Sequence, residues 1–86
     1  MSGTPYRAEQ RLALAVTHFI QEVHRRLPHA RLEPMTPYED ADFTLAVCVP
    51  AGTDEEMALD QCLAASSIVE DEMEVYILPR VRVESV

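Results

Sequence analysis

The sequence predicts an α+β domain in the order α-β-β-α-β, a small mixed β-sheet with two helices on one face. Three observations predict it. Apolar residues recur at steps of three and four over 4–27 and again over 53–70. Runs rich in Val, Thr, Tyr, Phe and Ile stand at 43–49 and 73–78. Pro and Gly punctuate the junctions, at Pro28, at Pro50 to Gly52 and at Pro79. A chain of 86 residues has enough length for one hydrophobic core, so 1–86 is read as a single domain.

The first helix is expected over 4–27. Thr4 suits the N-cap, and Pro5 the first helical position, where a missing N–H costs nothing. Ala8, Leu12, Val16, Phe19, Ile20, Val23 and Leu27 then make one apolar stripe. Arg25 and Arg26 favour the negative end of the helix dipole, and Pro28 stops the helix. Two strands follow within 30–49. The first, "HARLEPM", contains Pro34 and therefore belongs at a sheet edge. "TPYEDA" reads as a turn, and "DFTLAVCV" is the strongest strand in the chain.

The second helix is expected over 53–70, opening with Thr53 and Glu56 as a capping box. Its inner stripe is read as Leu59, Cys62, Leu63, Ser66 and Val69, with Ala58 and Ala65 alongside. At its far end Glu70, Asp71 and Glu72 face the negative end of the dipole, and no glycine follows to make a left-handed cap. Something nearby must offset that cost. A third strand is expected over 73–78, ended by Pro79, with 80–86 as a fourth edge strand or a tail. The β-α-β crossover places the second and third strands parallel.

Composition bounds the function. The net charge is −8, and every basic residue is arginine. Between Leu32 and Pro79 there is no Lys or Arg, while twelve of the fifteen acids fall there. Such a segment repels phosphate, so nucleic acid is excluded as an expected partner. The apolar stretches are far shorter than the roughly 20 residues of a membrane helix, and the first residues have no apolar signal region. Two cysteines make no disulfide framework, and a cytoplasmic location is the expectation. Cys48 and Cys62 have no CxxC pattern and no histidine beside either, so free thiols are expected. His18, His24 and His29 form no HExxH pattern and are read as surface residues. An acidic surface leaves a basic protein or a divalent cation as the sharper alternatives to plain solvation.

Strand phase decides which side chains meet. Phe43, Leu45, Val47 and Val49 should pack under the helices, with Met73, Val75 and Ile77 beside them. Asp40, Asp42 and Glu74 can then converge on the helix-free side as a candidate metal site. The preferred reading of the acidic stretch is a plain polar turn. The stretch "DADFTLAV" is similar to the D-x-D strand of minimal nucleotidyltransferase domains, with Glu74 in "MEVYIL" where a third carboxylate would stand. The resemblance spans Leu12 to Leu78 in pattern. It implies two Mg²⁺ ions held by Asp40, Asp42 and Glu74 and metal-assisted phosphoryl transfer. The chain departs from that family in having "MTPYE" where the family has a Gly-Ser turn.

The other expectation is an interface. Ala46, Cys48, Tyr76 and Leu78 would leave the helix-free face partly apolar, and such faces find cover. Arg80, Val81, Arg82 and Val83 alternate after Pro79 with no helix left to cover the valines. The expectation is therefore a small acidic interaction module, homodimeric through its sheet and without catalysis. The alternative is a degenerate or Mg²⁺-dependent nucleotidyltransferase-like protein.

Overall fold

The computed structural model describes residues 8–36 and 41–85. Helix α1 (Ala8–Arg26) buries Ala15, Phe19 and Val23, with Leu12, Val16 and Ile20 packed around them. This is the stripe its three-and-four spacing demands. Helix α1 closes at Leu27, whose N–H donates to Val23 O before Pro28 prevents a further turn. Thr4 and Pro5 lie outside the described residues.

Strand β1 (Arg31–Met35) then pairs antiparallel with β2 (Phe43–Val49), Arg31 opposite Cys48 and Met35 opposite Thr44. Helix α2 (Glu55–Met73) carries the chain back, and β3 (Ile77–Val83) pairs parallel with β2. The sheet has three strands in the order β1-β2-β3. The fold is thus α+β, α-β-β-α-β. Phe19 and Val23 of α1 share one core with Cys62 and Val69 of α2, and both helices rest on Leu45, Val47, Val49 and Ile77.

Four local readings are corrected by the structure. The acidic end of α2 stays helical to Met73, so no strand begins there. Glu74 itself takes the left-handed conformation that glycine usually supplies, φ 58° and ψ 37°, and its N–H donates to Glu70 O. The strand expected over 73–78 and the segment 80–86 are instead one strand, β3, with Pro79 inside it. Hydrogen-bond direction explains why. Tyr76 O accepts from Asp42 and Phe43, and Glu84 N donates to Val49 O, so even-numbered positions of β3 turn their polar groups toward β2. Pro79 is odd-numbered, and its missing N–H falls on the free edge, where no ladder bond is lost.

The cap and the stripe of α2 also differ. Asp54, not Thr53, is the N-cap, its carboxylate accepting from Glu56 N and Met57 N. The buried stripe is Ala58, Cys62, Ala65, Ser66 and Val69, while Leu59 and Leu63 remain 39% and 45% exposed. Small side chains let α2 lie close against α1 and the sheet, and a leucine in that contact would hold the helix off.

Candidate functional site

The acidic cluster is read first at the start of β2. Asp42 is exposed and makes a reciprocal pair with Tyr76: its carboxylate accepts from Tyr76 N at 2.8 Å, and its own N–H donates to Tyr76 O at 2.9 Å. This joins the beginnings of β2 and β3. Glu74 lies across from it, and Arg11 of α1 stands 3.8 Å from the Glu74 carboxylate. Arg11, Leu12, Asp42, Glu74 and Val75 line one hollow of about 260 Å³. The hollow opens beside α1, so Asp42 and Glu74 meet with a guanidinium between the elements that carry them. Asp40 lies outside the described residues. Among the described residues, no group of three or more His, Cys, Asp or Glu side chains is placed to hold a metal ion.

The acidic end of α2 meets side chains of α1. His18 Nδ1 lies 3.2 Å from Glu72, and its Nε2 lies 3.6 Å from Glu22. Glu22 is also held by Arg25 at 2.8 Å and Arg26 at 2.6 Å. Hydrogen bonds from Arg25 and then Arg26 push the Glu22 carboxyl below its ordinary value of 4.5. His18 is therefore half-buried and bridges two helices through acids of both, a role that a surface histidine would not have.

The centre of the helix-free face is buried. Register places Thr44, Ala46 and Cys48 there, flanked by Met35, Glu33 and Arg31 on β1 and by Leu78, Arg80 and Arg82 on β3. Thr44 and Ala46 are 0% and 2% exposed although no helix covers them. Longer side chains of the edge strands stand beside these short ones in the register. Arg31 reaches across to donate to Glu84, and that bond raises the guanidinium pKa. Of the expected interface residues, Cys48 is buried on this face and Leu78 is half-buried, while Tyr76, Arg80 and Arg82 are exposed. Val81 turns the other way and packs on the core, and Val83, opposite Val49, is 38% exposed. Of these two valines, Val81 is covered by the core, and Val83 stays exposed as the spacing alone suggested.

The free edge of β3 is uneven. Ser66, buried in α2, donates to Ile77 O at 2.6 Å. Ile77 is odd-numbered, so this carbonyl faces away from β2, and Ser66 marks the flank of α2 that overhangs the edge. At 100° per residue, Leu59, Leu63 and Glu70 follow Ser66 around that flank, away from α1. Ser66 occupies the Ile77 carbonyl and Pro79 offers no N–H, so the first half of the edge is closed to pairing. The second half, from Val81 onward, pairs with no other described strand. Sequence reasoning placed Ser66 on the inner stripe but missed this function. Its one signal was a polar residue among buried positions.

An open apolar hollow of about 360 Å³ lies between α1 and the start of β2, lined by Leu12, Ala13, Val16 and Phe43. Burial pushes the Cys62 thiol up to about 11, and both cysteines are free. At the carboxyl end of β2, Leu27, Pro28, Ala30, Val49, Pro50 and Thr53 contribute to a hollow of about 130 Å³, below the size of most small-molecule sites. Among the described residues no helix is long and apolar enough to cross a membrane. No protein-family model matches this chain, and no match was found among curated proteins or solved structures.

Proposed function

We propose that this chain is a small acidic interaction module that self-associates through its sheet and carries no catalytic chemistry. The observation that carries the reading is a three-stranded sheet with an unpaired, proline-free stretch at the end of β3. Unpaired strand edges present rows of N–H and C=O groups and recruit a further strand unless something blocks them. The helix-free face adds Arg31, Arg80 and Arg82 to that side of a chain whose net charge is −8. Positive charge on that side complements acids of a second copy. Non-catalytic status is supported by Asp42, whose carboxylate is already bound to the Tyr76 backbone, and by the Arg11 guanidinium that stands 3.8 Å from the Glu74 carboxylate.

Light scattering at micromolar concentration tests this directly: twice the chain mass is expected, and a chain mass at every concentration refutes it. A basic protein partner remains the alternative occupant, and would leave the purified chain monomeric. A second reading, a Mg²⁺-dependent nucleotidyltransferase-like protein, draws on the hollow that Asp42 and Glu74 share. It expects millimolar Mg²⁺ to raise the melting temperature and Asp42→Asn to remove the rise. The interaction-module reading expects no rise.

A further inference from the structure

Resting on the proposal of self-association, we infer that two copies join their β3 edges antiparallel about a two-fold axis at Val83. Four observations select this register. Only odd-numbered residues of β3 turn their N–H and C=O outward, so an antiparallel partner must set odd positions opposite odd ones. The edge at Ile77 and Pro79 is closed, by the Ser66 hydroxyl on the Ile77 carbonyl and by the missing N–H of proline. An axis at Val81 would bring Pro79 opposite Val83 of the other copy and lose a bond at each end. It would also set Arg80 directly opposite Arg82, a like-charge pair on adjacent strands.

An axis at Val83 avoids both costs. Val81 then pairs with Ser85 of the second copy, and Val83 with its own counterpart. Arg82 stands opposite Glu84 twice, once on each side of the axis. The Arg-Val-Glu triplet is therefore complementary to itself when read in the opposite direction. Glu84 already accepts from Arg31 within its own chain, and a carboxylate has lone pairs for both guanidinium groups. The interface is isologous and closes as a dimer.

Charge reversal on single chains separates this register from self-association at large. Arg82→Glu makes two acid–acid pairs in its homodimer, and Glu84→Arg makes two arginine–arginine pairs. Each variant alone should dimerise about tenfold or more weakly than the unmodified chain. Mixing the two should restore the dimer, because the heterodimer has two opposite-charge pairs. Sedimentation velocity reads all three, and restoration on mixing shows that both variants fold. Val83→Pro is the second variant. It removes one outward N–H, leaves the β2 ladder intact as Pro79 does, and should yield a monomer. If the unmodified chain is monomeric, both the register and the underlying reading fall. If it is dimeric and the reversed chains associate normally, or mixing restores nothing while Val83→Pro still dimerises, the register is overturned and self-association stands.

Discussion

Glu74 turns the chain from α2 into β3 with φ 58°, in the region where a Cβ meets the following carbonyl. Its side chain is 84% exposed, and its contact with Arg11 at 3.8 Å contributes little. Relieving the backbone should therefore outweigh the lost contact. Glu74→Gly is expected to stabilise the fold by about 0.5–1 kcal/mol, read as a higher urea midpoint with unchanged slope. A lower midpoint would show that the Arg11 contact matters more than the strain. Cys62 supplies the second residue-scale test. Its thiol is fully buried and held protonated by burial, with a pKa of about 11. At pH 8 an alkylating reagent should leave it unmodified until urea unfolds the chain, since the thiolate is the nucleophile. Mass spectrometry after digestion locates the label, and rapid native labelling at Cys62 would show that α2 opens locally.

Near the end of helix α1, Arg25, Arg26 and His18 converge on Glu22. A carboxyl held below its ordinary value contributes stability that is present above that value and lost as pH falls through the lowered one. The advantage of the unmodified chain over Glu22→Gln should accordingly be full near neutrality and shrink below pH 4.5, measured by urea midpoints across the range. An advantage independent of pH would mean that packing of the side chain, not its charge, is what counts. At β2 the expectation is harsher. Val47 is 0% exposed, and Val47→Asp buries a charge with no partner, costing on the order of 5 kcal/mol, about the whole stability of a small domain. A cooperative melt near that of the unmodified chain would refute the core assignment.

Elements with one dominant signal were legible in the sequence. The period of α1 and the β-branched run of β2 needed no tertiary information, and strand phase put Leu45, Val47 and Val49 under the helices as observed. Pro79 misled because proline ends a central strand but not an edge strand, and edge status is a property of the sheet. Leu59 and Leu63 misled because hydrophobicity ranks leucine above alanine, whereas the buried stripe of α2 is Ala58, Cys62, Ala65, Ser66 and Val69. Of the candidate site, strand phase set Asp42 and Glu74 on the helix-free side, whereas Glu74 caps α2 and the hollow it lines with Asp42 lies beside Arg11 and Leu12 of α1. The bond from Asp42 to Tyr76 N and the intrusion of Arg11 depended on how α1 sits over the sheet.

At the scale of the whole molecule, β2 is the one strand with a neighbour on each side, and each outer strand holds a proline, Pro34 in β1 and Pro79 in β3. A flat, proline-free ribbon of this length would stack without limit, since each added chain presents a fresh margin to the next. Each proline removes one N–H from its outer strand, so on the proposed self-association pairing would be confined to a short stretch. Replacing both with valine should therefore remove that limit. Fibrils that bind thioflavin T are expected on concentration of the double variant and not of the parent chain. The placement of these two rings would then be what allows a sheet with open margins to remain dispersed at high concentration.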